Sequence, residues 1–176
     1  MRSRAGRRAA PAARQPDSID AAYTEAVKRL ARQPQSRAAL ERRLLGLGYT
    51  ETAVAATLAR VQADGYLNDR EYAESLVRRR AAGRGHALIA QELRAKGIDD
   101  PDAEAAMGQV EPATEAEQAI ALGRRLLGRR QLADAQALYA YVGPRLSRRG
   151  FSSGLVYRAC RLLADEWQVA GRFDSL

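Results

Sequence analysis

The chain has 176 residues, 46% hydrophobic and 6% aromatic, with one cysteine and one histidine, enough for one moderate core or several small serial ones. The lone Cys160 excludes an internal disulfide framework, the lone His86 argues against a metal site or histidine-based triad, and no apolar run reaches the roughly 18 residues of a membrane span. The 29 Lys and Arg against 21 Asp and Glu leave +8, and that charge comes in alternating blocks: positive over residues 1–18, balanced to 74, positive over 75–97, negative over 98–118, positive over 119–163 and negative at the end. Such blocks suggest an extended molecule with separate charged surfaces that steer towards an anionic polymer or a charged protein.

Residues 1–18 hold Arg, Ala, Pro, Gly and Ser without periodicity, which predicts a mobile basic tail. They lack the apolar stretch of an export signal, so a cytoplasmic protein is expected. Beyond them Ala, Leu, Arg and Glu dominate and β-branched residues never alternate, so the fold class is all-α. A first helix is predicted to start near Asp20.

The stretch from Leu40 to Val61 matches that from Ile89 to Val110 and that from Val142 to Leu163 without a gap, the copies starting 49 and 53 residues apart. Apolar positions coincide at Leu40, Ile89 and Val142, at Leu44, Leu93 and Leu146, and at Tyr49, Ile98 and Phe151. They coincide again at Val54, Ala103 and Val156, and at Leu58, Met107 and Cys160. That register makes Cys160 a small core hydrophobe. Each copy carries a glycine, Gly48, Gly97 or Gly150, followed two residues later by Thr50, Asp99 or Ser152. The glycine suits a left-handed helix end and the next residue type suits an N-cap, so each copy is a helix, a sharp corner and a second helix.

A further helix precedes each pair, starting near Asp20, at Asn68 or Asp69, and at Thr114, where Thr114 and Glu117 have capping-box spacing. Nine helices result, arranged as an elongated array of three tandem three-helix repeats over 19–65, 66–112 and 113–176. Gly143 and Pro144 are expected to kink or split the helix running from about Asp134 to Arg149. Gly65 closes one helix, Tyr66 and Leu67 are expected to cover the core across the junction, and Tyr72 packs one turn into the next. His86 falls at a helix start, and Asp99, Asp100 and Asp102 gather at a helix N-terminus, where acids favour the dipole. Gly83-Arg84-Gly85 lacks the lysine and serine of a phosphate loop.

The basic clusters remain. Arg78, Arg79 and Arg80 extend a helix whose apolar stripe, through Tyr72 and Leu76, is expected to end there, with Arg84 beyond and Arg94 and Lys96 at the end of the next helix. Arg124, Arg125, Arg129 and Arg130 form a second cluster, with 125 and 129 expected on one helical face. Arg145, Arg148 and Arg149 form a third. Arginines in a last turn complement the helix C-terminus, yet three in a row exceed that need and point to a binding surface.

Gly65-Tyr66-Leu67-Asn68-Asp69, Tyr72-Ala73, the arginines from Arg78, Glu92-Leu93 and Lys96-Gly97-Ile98 resemble the central block of the RecX family of recombination regulators. Ser36, Leu40, Leu44 and Gly48-Tyr49 resemble its N-terminal portion, and Arg149-Gly150-Phe151-Ser152 its C-terminal signature. The resemblance implies a body lying in the groove of the RecA nucleoprotein filament, suppressing ATP hydrolysis, strand exchange and co-protease activity without catalysis and without a cofactor. Residues expected to meet RecA or DNA are Arg78, Arg79, Arg80, Arg84, Arg94, Lys96, Arg124, Arg125, Arg129, Arg130 and Arg148. Weak DNA binding, no membrane association and a monomeric state are expected. A direct nucleic-acid reader is the second reading, because a helix, a glycine corner and a capped helix also describe a helix-turn-helix. Against it, the helix from Glu51 to Ala63 offers only Thr52, Thr57, Arg60 and Gln62 to bases, and Pro101 to Val110 offers no basic residue. A plain scaffold is the third.

Overall fold

The computed structural model describes residues 15–109 and 111–171. Nine helices and no extended strand occur among them: α1 (Ile19–Arg32), α2 (Arg37–Leu45), α3 (Glu51–Ala63), α4 (Asp69–Ala81), α5 (His86–Ala95), α6 (Asp100–Met107), α7 (Pro112–Leu127), α8 (Ala135–Ser147) and α9 (Ser153–Val169). The fold is all-helical. The chain divides into two compact units, one of Met1–Tyr72 with Lys96–Ile98, the other of Ala73–Ala95 with Asp99–Leu176.

In the first unit α1 and α2 pack on α3, burying Ala26, Leu40, Leu44, Val54, Leu58, Val61 and Leu67 in one cluster. In the second, α7 and α8 pack on α9 around Leu138, Val142, Leu146, Phe151, Val156, Cys160, Leu163 and Trp167. Each fully buried leucine contributes roughly 1.5–3 kcal/mol. The aligned apolar positions are the core positions: Leu40, Ile89 and Val142 are at most 2% exposed, and Leu44, Leu93 and Leu146 are sealed. Tyr49 is half-buried where Ile98 and Phe151 are buried. Val110 lies outside the described residues.

The corners owe their shape to glycine and to side-chain caps. Gly48, Gly97 and Gly150 have φ of 90°, 75° and 87°, a region that costs other residues about 1–2 kcal/mol. Thr50, Asp99 and Ser152 then accept from the amides of Ala53, Asp102 and Leu155, so Asp99 is a cap within its acidic cluster.

Four expectations change. Residues 1–14 of the expected tail lie outside the described residues, but Pro16 is held, its carbonyl accepting from the Thr50 amide at 3.0 Å. Ser18, the last residue of that tail, caps α1, which begins at Ile19, close to the expected start near Asp20. Helix α7 starts at Pro112 rather than Thr114, with no side-chain cap bond, because proline at the first position already supplies a helical φ and has no orphan amide to satisfy. Helix α8 runs unbroken through Pro144: Leu138, Val142 and Leu146 are fully buried on its inner face, and Gly143 leaves room beside the Tyr139 ring and Val156. Tyr66 is 54% exposed while Leu67 alone enters the core.

Two joints share one design. Ser36, at the start of α2, donates its hydroxyl to the Lys96 carbonyl at 2.6 Å, and the Arg37 amide donates to Asp69 at 2.7 Å. At the start of α5 the Gly85 amide donates to the Arg149 carbonyl at 2.7 Å, and the His86 amide donates to Glu115 at 2.8 Å. Ser36 and Gly85, Arg37 and His86, and Lys96 and Arg149 are the same positions in the aligned copies. In both joints the carbonyl before a corner glycine accepts a bond, from a hydroxyl at Ser36 and from an amide at Gly85, while an acid from further along the chain satisfies the next amide of the helix start.

Candidate partner-binding surface

The buried stripe of α4 is Ala73, Leu76, Val77 and Ala81, one position round from Tyr72, and it continues to the helix end. Arg78, Arg79 and Arg80 occupy the exposed side. Their partners differ. Arg78 stands 4.0 Å from Glu74, with 65% of its side chain exposed, and Arg79 donates to the Ser75 hydroxyl. Arg80 is fixed by Glu92 of α5, donating from Nε at 3.2 and 3.0 Å and from Nη2 at 2.9 Å. Arg84 reaches the same carboxylate at 2.5 Å. Glu92, only 17% exposed, therefore ties the end of α4 and the loop after it to α5, and pairs with two of the candidate charges at once. Arg94 is exposed and lines a cavity of about 560 Å³ with His86, Ala90, Glu104, Met107 and Glu115. Lys96 is half-buried and contributes its carbonyl to the Ser36 joint.

The second cluster divides likewise. Arg124 forms a two-pronged pair with Glu166 of α9, at 3.0 and 2.5 Å, which holds the Glu166 carboxyl below its ordinary pKa through that bond and raises the Arg124 guanidinium. Arg125 donates to the Ala82 carbonyl at 3.3 Å. Gly128, at φ 54°, ends the helix at Leu127, so Arg125 and Arg129 do not share a helical face as expected. Arg129 is exposed, and Arg130 lies over the Tyr141 ring, 4.7 Å from its centroid. From the third cluster Arg145 lies over the same ring at 3.7 Å, and Arg148 donates to the Pro144 carbonyl at 3.1 Å.

Sequence reasoning passed over several residues of this surface. Glu92 and Glu166 decide which arginines are neutralised, yet stand 12 and 42 positions from their partners Arg80 and Arg124, and no local pattern marks them. Arg158 and Arg161 are exposed on α9 beside Tyr157, itself 57% exposed; their basic character was the available signal. In the first unit Arg60 is used internally, paired with Asp20 at 2.9 Å and stacked 4.0 Å from the Tyr23 ring centroid. Cys160 is buried, its thiol pushed up to about 11 by desolvation. No helix among the described residues is long and apolar enough to cross a membrane, and none of their His, Cys, Asp and Glu side chains gather in a group able to hold a metal.

Comparison with known proteins places the chain in a family. Residues 68–107 match the model of the RecX second three-helix domain. The regulatory protein RecX of Mycolicibacterium smegmatis is 35% identical over 130 residues, covering 70% of this chain and 69% of that protein. That of Thermus thermophilus is 35% identical over 145 residues, 82% of this chain and 94% of the relative. The crystal structure of RecX from Lactobacillus salivarius superposes with a TM-score of 0.76 at 26% identity, over 82% of this chain and 96% of that one. With an all-helical repeat fold, glycine corners at the aligned positions and this degree of similarity over most of its length, the chain belongs to the RecX family of regulatory proteins.

Proposed function

We propose that this protein is a negative regulator of RecA that lies in the groove of the RecA–DNA filament and inhibits ATPase, strand exchange and co-protease activity without chemistry of its own. The observation that carries the reading is a basic surface on a family member of regulatory name, several of whose arginines have no strong acidic partner. Arg79, Arg94, Arg129, Arg130 and Arg148 form no ion pair with a described carboxylate, and Arg78 only a 4.0 Å contact. Charges of this kind raise association rates with a polyanionic or acidic partner. Three helical units, over 19–65, 66–112 and 113–176, would let one monomer bridge neighbouring RecA subunits and gain avidity. The protein acts in the cytoplasm on this reading and needs no cofactor. Against a base-reading role for α3, Thr57 is buried and donates to the Ile19 carbonyl, and Arg60 is held by Asp20 and Tyr23.

The test is RecA ATPase on single-stranded DNA, titrated with this protein and with a variant carrying Arg78→Glu and Arg79→Glu. Wild type suppresses hydrolysis and the folded variant does so at least about tenfold less effectively, a loss of roughly 1.4 kcal/mol. Equal suppression by a variant of unchanged helicity and melting removes these arginines from the interface, and no suppression by wild type overturns the reading itself.

A further inference from the structure

Tyr141 of α8 gathers two guanidinium groups from different parts of the chain. Arg145 follows it by one helical turn and also donates from Nη1 to the Tyr141 carbonyl. Pro144, just before it, has no amide to give the turn. Arg130 arrives from beyond the end of α7, its amide bonded to the Leu127 carbonyl at 3.0 Å, and its side chain lies over the same ring. With carbons 3.7 and 4.7 Å from one centroid, the two charges are no more than roughly 8 Å apart, about one Debye length at physiological salt. They repel rather than screen one another.

Neither guanidinium pairs with a carboxylate among the described residues, whereas Arg80, Arg84 and Arg124 all do. A ring face offsets only about 0.5–1 kcal/mol of an exposed charge such as that of Arg130. What it does supply is orientation: a stacked guanidinium has lost freedom in advance and keeps N–H edges for planar, two-pronged recognition of an anion. Arg129 and Arg148 are exposed nearby in sequence. Edges of this kind suit an anion that can meet several donors in a row.

We propose that Arg130 and Arg145, held at the Tyr141 ring, form a binding site for the phosphodiester backbone of single-stranded nucleic acid. Each guanidinium can present its N–H edge to the acceptor oxygens of a phosphate, and successive phosphates extend the contact towards Arg129 and Arg148. The bases take no part, since the guanidinium groups already cover the ring, so binding is blind to sequence. The site deepens the filament reading by naming a direct contact to the DNA, and it functions with or without RecA.

The experiment is fluorescence anisotropy of a labelled oligothymidylate with the full chain alone, at several salt concentrations, for wild type, Arg130→Gln, the double variant Arg130→Gln with Arg145→Gln, and Arg32→Gln on α1 as a charge-matched control. Arg130 is exposed, so its substitution leaves the core intact. The double variant is expected to bind about tenfold more weakly, with a log–log salt slope shallower by about 0.7–1.4, one to two single-strand phosphates. An abasic phosphodiester oligomer should bind as the oligothymidylate does. Affinity and slope in Arg130→Gln no different from Arg32→Gln would overturn the proposal. So would polyglutamate that binds as tightly and loses as much in the double variant, since that describes an acidic-peptide site. With RecA absent from the cuvette, either failure stands apart from failure of the RecA reading.

Discussion

The Cβ of an alanine at position 97 would stand 2.5 Å from the Cβ of Ala38. Gly97 thus seats its corner against the first turn of α2, where Ser36 donates to the Lys96 carbonyl. Gly150 meets Leu88 in the first turn of α5 at the same 2.5 Å. Gly65 has an equally left-handed φ of 77° but nothing within 4 Å.

These glycines separate two costs. Gly65→Ala should destabilise by about 1–2 kcal/mol, the penalty of the backbone region alone. Gly97→Ala adds overpacking and should cost about 2–4 kcal/mol. Urea denaturation checks the difference, and adding Ala38→Gly should recover part of the excess, a coupling that a double-mutant cycle reads. Equal losses at Gly65 and Gly97 would show that the joint yields without strain.

Glu92→Gln removes the negative charge shared by Arg80 and Arg84. With the carboxylate largely buried and the arginines half-exposed, we expect a loss of about 1–2 kcal/mol. The loss should shrink at high salt, with a concurrent gain in salt-sensitive affinity for polyanions. Urea midpoints at low and high salt measure the first effect, and heparin retention the second.

Glu166 gives a pH dependence of defined sign. Arg124 holds its carboxyl below the ordinary 4.5, so at mild acidity the unfolded chain takes up a proton that the folded chain refuses. The contribution is complete above 4.5 and is lost as the pH falls below it. Arg124→Gln should flatten stability against pH in that window and leave the rest of the profile alone. Urea midpoints with unchanged acid slope would exclude the coupling.

Cys160 should be inert in the native protein. Burial pushes its thiol up from 9.0 to about 11, leaving little thiolate near neutrality. A thiol reagent at pH 8 is expected to label it only as fast as the chain opens, with a rate that climbs with urea; fast labelling without denaturant would contradict its burial. Above pH 9 the unfolded thiol ionises first, so stability declines there.

Much of the fold is legible because it is written in local chemistry. Thr50, Asp99 and Ser152 are caps in the structure as in the sequence, since a cap needs only one oxygen and an amide three residues on. Two helix boundaries escaped the same logic. Thr114 looks like a cap, but Pro112 had already fixed the first turn of α7. Pro144 looks like a break, yet the apolar face of α8 outweighs one missing bond. The surface was legible only by charge density. Arg78 and Arg80 look alike in sequence, and whether each is offset depends on Glu92, brought in by tertiary packing. The meeting of Arg130 and Arg145 at Tyr141 joins residues on either side of a helix boundary, and no helical periodicity predicts it.

The two joints at Ser36–Lys96 and Gly85–Arg149 rely on peptide groups for acceptors, and one of them for its donor as well. Peptide groups do not mutate. Side chains at positions 96 and 149 can change identity while the seam persists, provided the adjoining glycine keeps the backbones close. Such a seam tolerates drift in the side chains around it, so the outer faces are open to divergence while the backbone contact at each corner persists.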